Sequence, residues 1–253
     1  MTAVTCCLGV TNPEQSWLSK LEEVDYLHHG LLIESVASSF GSVFCTGGTH
    51  TFVRLSDFLH VRDAYFDWTV TQHSSHYDYW LKELGDDRWL TQLLSSGCSG
   101  ENRLGFVTNV ICTTMGTGAF RPLLTQRRRW LLASISSDLF ANMDKTMFCS
   151  KPGLWLFRLM SQAIRLPDIF QVYLVILLGS VQNSIVTFLG IMISISFAVN
   201  WGLLAWIGFR HERHGIVLYP FLIILKPSWD FVLRIYTLAT LNKGNVVWGG
   251  SRL

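Results

Sequence analysis

Between Ile169 and Phe209 the sequence holds no Asp, Glu, Lys or Arg. A spanning helix needs about 20 apolar residues at about 1.5 Å rise each, so this run is too long for a single crossing and too apolar for a solvated helix. The polar-leaning Gly179-Ser180-Val181-Gln182-Asn183-Ser184 divides it. Two transmembrane helices are predicted, at 163–181 and 186–208, the first beginning under a charged collar of Arg165 and Asp168. The six cysteines (6, 7, 45, 98, 112 and 149) show no C-x-x-C spacing and no paired His ligands. That excludes a zinc site and a disulfide framework as organising features and leaves reduced thiols as the expectation. A basic leader is also missing: Met1-Thr2-Ala3-Val4-Thr5-Cys6-Cys7-Leu8-Gly9-Val10 is too short and too β-branched for a signal peptide and reads as a buried strand. The formal net charge is only +2, which argues against nucleic acid as a partner despite the run Arg127-Arg128-Arg129. Neither an internal repeat nor a low-complexity tract interrupts the chain.

A third apolar stretch differs from the first two. Ile216–Leu225 is broken by Lys226-Pro227-Ser228-Trp229-Asp230 before Phe231–Leu241 resumes with Arg234 inside it. Proline removes a backbone donor, and a mid-membrane Lys is expensive. The pattern fits a kinked helix with Lys226 facing a polar cavity, or two half-helices in a re-entrant hairpin. Topology favours the hairpin. Arg210, His211, Arg213 and His214 mark the preceding loop as cytoplasmic, and a full crossing would carry Lys243 and Arg252 to the far side.

The region before the membrane segments alternates between the two hydrophobic periods. After the first strand, Asn12-Pro13-Glu14 makes a turn, and Trp17, Leu21, Val24 and Leu31 recur at near-helical spacing through Phe40. Ser42-Val43-Phe44-Cys45 is a short apolar run predicted as a strand. It ends at Thr46-Gly47-Gly48, where two glycines permit a positive φ or close approach of a ligand. Thr51–Arg54 is strand-like, Ser56-Asp57 can cap a helix through about Val70, and Thr71–Tyr79 is a polar, His-rich loop. Asp86-Asp87 can open a helix running through Ser96; Phe106–Met115 reads as a strand and Leu123–Phe140 as an amphipathic helix. Gly153–Arg165, with Trp155, Leu156, Leu159 and Ile164, suits the bilayer surface. Strands alternating with helices predict an α/β lobe over 1–150, followed by interfacial and transmembrane helices over 151–253.

Two motifs carry chemistry. In Gly85-Asp86-Asp87-Arg88 the adjacent carboxylates can be an N-cap and a first-turn acid that stabilise the helix dipole. Equally they can supply a general base for a sugar hydroxyl, its pKa tuned by the neighbouring charge. In Gln126-Arg127-Arg128-Arg129-Trp130, Gln126, Arg129 and Trp130 share one helix face. A guanidinium suits a leaving diphosphate because it bonds it through two donors, and an indole offers a flat surface to a sugar ring. The competing reading is a basic-aromatic anchor at lipid headgroups.

In this order, ahead of membrane helices, these motifs resemble those of the membrane-embedded family 2 glycosyltransferases, which include hyaluronan, chitin and cellulose synthases. Hyaluronan synthase is the nearest likeness, over Val10–Trp17, Ser39–Gly48 with Arg54, Gly85–Thr91, and Leu241-Asn242-Lys243 with Trp248-Gly249-Gly250-Ser251-Arg252. The run 126–130 also has the chitin synthase form. The resemblance implies a GT-A-like cytosolic domain, with Asp87 as base and Asp86 beside it. It implies Arg88, Arg129, Trp248 and Arg252 at the donor diphosphate, and Gln126, Trp130, Cys45, Thr46 and Gly47 at the acceptor. Two departures stand out: Thr46-Gly47-Gly48 replaces Ser-Gly-Pro, and Gly250 replaces a Thr. The family's Mg²⁺ or Mn²⁺ is held by an upstream D-x-D, which does not occur before Asp86 here. The chain is therefore expected to be the C-terminal part of a synthase.

The implied function is inverting transfer of a sugar from a UDP-sugar to a growing cell-surface or cell-wall polysaccharide, exported through the enzyme's own membrane helices. The expected place is the cell membrane, multi-pass, with the catalytic part cytoplasmic and the bilayer as a partner. A non-processive transferase with a lipid acceptor, and a catalytically incomplete or non-enzymatic membrane subunit, remain as alternatives.

Overall fold

The computed structural model describes residues 1–48, 50–66, 76–96, 103–165 and 184–241. The β-branched run at the start of the chain forms β1 (Ala3–Val10), the middle strand of a three-stranded sheet with β2 (Thr51–Val53) and β3 (Leu104–Thr114) on either side. β2 pairs antiparallel and β3 parallel to β1, and the β1–β3 register slips between Cys6 and Cys7, which face Val107 and Ile111 respectively. Helices dominate the rest of the described residues, so the lobe is a mostly helical one built around a small mixed sheet.

Helix α1 (Trp17–His28) is capped by Ser16, whose Oγ accepts from Ser19 N at 3.1 Å. It continues through one π-helical turn, His29–Glu34, into α2 (Ser35–Ser39), so the near-helical spacing through Phe40 is realised with a local widening at Glu34. Trp17 is exposed, and the inner face is carried by Val24, Leu27 and Leu31. The predicted strand Ser42–Cys45 does not form: side chains, rather than a neighbouring strand, take its backbone groups, as described below. Helix α3 spans Leu55–Phe66, placing Ser56 and Asp57 inside its first turn instead of at its cap. The predicted loop at Thr71–Tyr79 gives way at His76 to α4 (His76–Lys82); residues 67–75 lie outside those described. The motif helices are α5 (Asp86–Ser95) and α6 (Phe120–Met143), followed by α7 (Lys145–Ser150) and α8 (Pro152–Arg165). Helix α8 buries Leu154 and Arg158 and leaves Leu156, Leu159 and Met160 outward, the amphipathic division its sequence predicts.

Most of the first predicted membrane helix, 166–181, lies outside the described residues. The second appears as α9 (Ser184–Arg210). Beyond it Glu212 takes the left-handed turn at φ 57, and Arg213 N donates back to Gly208 O at 2.7 Å. Arg213 then reaches the lobe, donating to Val10 O at 3.0 Å and to Glu23 Oε1 at 2.9 Å, so the basic loop sits on the lobe's side. The last described helix, α10 (Tyr219–Ala239), runs unbroken through Pro227, which corrects the re-entrant hairpin to a single helix.

Two stretches among the described residues are long and apolar enough to cross a membrane, Gly190–Arg210 and His214–Ala239. The second meets the lobe along its whole length. Tyr219 packs on His28, Lys226 pairs with Asp25 at 3.2 Å, Trp229 meets Phe120, and Thr240, just past its end, holds Arg128. A helix of that length spans about 30 Å, and a crossing would carry one end away from these partners. Cys7, Val24, Leu27 and Leu31 of the lobe also share one core with Leu204, Ile216, Tyr219 and Leu222. Each such side chain contributes about 1.5–3 kcal/mol when fully buried, so the lobe and these helices are firmly joined.

Candidate active site

Helix geometry explains where the arginine run points. Successive residues turn by about 100°, so Arg127, Arg128 and Arg129 leave α6 in three directions. Arg127 ion-pairs with Asp25 of α1 at 2.7 Å and lies over the rings of Tyr26 and Trp130. Arg128 is buried and clamps the end of α10, its Nε and Nη2 donating to Thr240 Oγ1 and O, both at 2.7 Å. Arg129 alone faces the carboxylates: burial lowers its pKa, and Asp86 and Asp87 oppose that shift. Arg127, half-buried, and Arg128, buried, are both engaged within the protein instead of reaching out to headgroups.

Asp86 and Asp87 open α5 behind Gly85, and no side chain caps this helix, so both are first-turn acids. Burial raises the Asp87 pKa and Asp86 raises it further, while the Gly48 backbone, Arg129 and Arg88 oppose the rise. The Thr46–Gly48 loop lies directly on this carboxylate. A Cβ built on Gly48 would stand 2.4 Å from Asp87 Oδ1. Thr91, one turn after Asp87, ties loop to helix. Its Oγ1 donates to Asp87 O at 2.6 Å, accepts from Thr46 N at 2.8 Å and meets Thr46 Oγ1 at 2.7 Å. Gly47 packs against the His50 ring, and its carbonyl accepts from Thr51 Oγ1 at 2.7 Å.

The loop is held from the other side too. Glu34, delivered inward by the π turn, accepts from Phe44 N at 2.7 Å through Oε2 and meets His29 Nε2 at 3.1 Å through Oε1. Arg158 Nη2 donates to Phe44 O at 3.4 Å, and its guanidinium lies 5.0 Å from the Phe44 ring centroid. These clamps replace the ladder that a strand at 42–45 would have used. Cys45 follows, half-buried, and burial pushes its thiol up to about 12 although Arg88 opposes the shift. At neutral pH it is a protonated thiol and not a nucleophile.

Arg88 turns from its motif into a small cavity lined by His29, Phe44, Asp138, Arg158 and Gln162. Trp130 packs toward α1, its ring 5.9 Å from that of Tyr26. Gln126 is half-buried, its Oε1 enclosed. The structure thus brings Asp86, Asp87, Arg129, Cys45, Thr46 and Gly47 into one neighbourhood, and places Trp130 on the α1 side of α6. Trp248 and Arg252 lie outside the described residues. Among the described residues no group of three or more His, Cys, Asp and Glu side chains stands together as a metal site requires. The two carboxylates at the site, Asp86 and Asp87, are faced by Arg129 and Arg88 instead of by further oxygen ligands, a setting that does not suit a bound Mg²⁺ or Mn²⁺.

Sequence reasoning missed Glu34, Thr91, Asp25 and Arg158. Thr91 had a signal, since a hydroxyl four residues after Asp87 can bond back to its carbonyl. Arg158 had one as well, the only charge between Lys151 and Arg165. Glu34 and Asp25 look like ordinary helix-surface acids.

A family model described as chitin synthase matches residues 1–253. Chitin synthase VI of Metarhizium acridum is 30% identical over 256 residues, covering 100% of this chain and 39% of the relative. Chitin synthase D of Aspergillus fumigatus is 31% identical over 252 residues, covering 100% and 34%. Chitin synthase Vb of Fusarium oxysporum f. sp. lycopersici is 27% identical over 258 residues, covering 97% and 14%. The chain thus spans 39% or less of the length of these relatives. Within the group of polysaccharide synthases that the two motifs resemble, the match is to chitin rather than hyaluronan synthases: the chain belongs to the chitin synthase family.

Proposed function

We propose that this chain supplies the base, the acceptor loop and membrane-side helices of an inverting glycosyltransferase that extends a cell-wall polysaccharide from a UDP-sugar. Chitin is the polymer named in its relatives, so the sugar is N-acetylglucosamine. The observation that carries this reading is the docking of the Thr46–Gly48 loop on Asp87 through Gly48 and Thr91. A loop that holds the acceptor's terminal sugar there presents a hydroxyl to a carboxylate with a raised pKa, which suits a general base. Asp87 takes the hydroxyl proton as that oxygen attacks the anomeric carbon and the bond to UDP breaks with inversion. Arg129, with Arg252 and Trp248, receives the leaving diphosphate, and Gln126 and Trp130 line the acceptor's path. Arg88, shared with the Asp138 and Arg158 cavity, supports the loop from behind.

Residues 1–150 are read as the C-terminal part of a GT-A-like domain on the cytoplasmic face, and 151–253 as its membrane portion, with α9 crossing and α8 and α10 lying at the interface. The polymer leaves through the membrane helices. A second reading is a catalytically incomplete fragment or a non-enzymatic subunit, and the experiment below separates it from the first.

The test uses labelled UDP-N-acetylglucosamine and membranes carrying this chain alone, beside a chimera placing it behind the N-terminal part of the A. fumigatus relative. Metal-dependent, chitinase-sensitive polymer from the chimera, lost in Asp87→Asn, supports the reading. Polymer from the chain alone shows that the donor site has been misplaced. A folded, inserted chimera that makes none, with native Asp87, favours the non-enzymatic subunit.

A further inference from the structure

The short segment entering the acceptor loop is fixed by side chains from three helices, one of them the amphipathic α8 that is read above as lying at the membrane interface. The Phe44 peptide is gripped at both ends, its N–H by Glu34 Oε2 at 2.7 Å and its carbonyl by Arg158 Nη2 at 3.4 Å. Two residues later Thr46 N is held by Thr91 at 2.8 Å. Arg158 is 2% exposed, while Leu156, Leu159 and Met160 on the other side of α8 are exposed. Its nearest counter-charge is loose, Asp138 Oδ1 standing 3.7 Å from Nε, with Glu34 contributing as well. A buried guanidinium with so loose an ion pair is a poor stabiliser, because desolvating it costs several kcal/mol. An apolar side chain would fill the space between Leu154 and Phe44 more cheaply. What only a guanidinium supplies at this place is a donor to the Phe44 carbonyl together with a flat face on its ring, 5.0 Å away.

We infer that Arg158 is a positioning residue: from the inner face of α8 it fixes the Phe44 peptide, and through it the distance of the Cys45–Gly48 loop from Asp87. This rests on the reading of that loop as the acceptor's contact. Glu34 is its counterpart on the N–H side. Seating of α8 at the membrane is thereby transmitted to the place where the acceptor hydroxyl must lie, and a misplacement there of about 1 Å costs rate steeply.

The experiment uses the whole 253-residue chain in lipid nanodiscs, with Arg158→Met, Arg158→Lys and Glu34→Gln variants. Three quantities are read: the thermal midpoint, amide exchange of a peptide covering 44–48, and binding of chitotetraose. In Arg158→Met the midpoint should hold or rise, while exchange at 44–48 increases and chitotetraose binds on the order of tenfold more weakly. Arg158→Lys should behave similarly, lacking the planar fork, and Glu34→Gln, which keeps an acceptor oxygen for Phe44 N, should stay near native. Unchanged exchange and affinity in Arg158→Met overturn the inference, as does a lowered midpoint with exchange and affinity lost in parallel to it. If the native chain itself binds no chitotetraose, the acceptor reading of the loop fails and the inference fails with it; native binding that Arg158→Met leaves intact sinks the inference alone.

Discussion

Gly48 and Asp87 are in direct contact: the Gly48 backbone hydrogen-bonds the Asp87 carboxylate, and a Cβ on Gly48 would intrude to 2.4 Å from Oδ1. Any side chain at this position would have to displace the Asp87 carboxylate, independent of any left-handed backbone. The contact also joins the two segments whose chemistry must meet, the loop for the acceptor and the helix carrying the base.

Asp87→Asn should abolish sugar transfer, by on the order of a hundredfold or more, with UDP binding nearly unchanged. The same change should stabilise the fold. Because the folded pKa of Asp87 is raised, the fold disfavours the ionised form, and stability falls as pH rises from the unfolded toward the folded pKa. At neutral pH the charge is thus a cost that Asn removes. A thermal melt beside a UDP titration checks both parts, and loss of UDP affinity as large as the loss of turnover would contradict the base assignment.

Gly48 offers a graded test. Gly48→Ala should push the carboxylate aside and reduce kcat with little effect on donor KM. Gly48→Pro removes the backbone donor, which opposes the rise in the Asp87 pKa, so the acid limb of the pH–rate profile should move to higher pH. An acid limb that stays in place would mean that the Gly48 N–H does not act on this carboxylate.

The arginine run should separate by function. Arg129→Lys keeps the charge but loses the fork and should weaken UDP binding while leaving the thermal midpoint near native. Arg128→Ala should do the reverse, removing both bonds to Thr240 and destabilising the chain by about 2 kcal/mol. Trp130→Ala should chiefly impair acceptor use. Equal stability losses in the Arg129 and Arg128 variants would put Arg129 among the structural braces.

Asp25 joins Arg127 at 2.7 Å and Lys226 at 3.2 Å, and so pins α10 to α1 and α6. Burial works to raise its pKa, but Lys226 and then Arg127 outweigh it and hold the carboxyl below its usual range. Its contribution to stability is fully present above the unfolded pKa and is lost as pH falls through the lowered folded value. Asp25→Ala should cost about 3 kcal/mol, the low end for breaking a buried pair because Lys226 reaches solvent. Adding Lys226→Met should recover part of it. Denaturation of both variants at neutral pH measures this, and a double variant no more stable than Asp25→Ala would show that Lys226 is not the stranded charge.

Much of this arrangement was legible along the chain. The apolar run before Arg210, the helices at 86–95 and 120–143 and the strands at 3–10 and 104–114 follow from hydrophobic periods that each segment carries within itself. So does the shared helix face of Gln126 and Arg129, because i and i+3 neighbours are set by local geometry. Ser42–Cys45 was misread for a physical reason. Its composition suits a strand, but strand formation depends on an available partner edge, and here Glu34 and Arg158 take the Phe44 N–H and carbonyl instead. The reading of 216–241 as a hairpin failed similarly. Lys226 and Pro227 look like breakers in isolation, yet Asp25, just over two hundred positions earlier in the chain, neutralises the lysine and keeps the helix whole. What the sequence determined by itself was periodicity and the identity of the chemical groups. Which charge meets which, and therefore which of three adjacent arginines faces the carboxylates, was decided only by packing, since electrostatic and hydrogen-bond energies depend on distances that the folded chain alone sets.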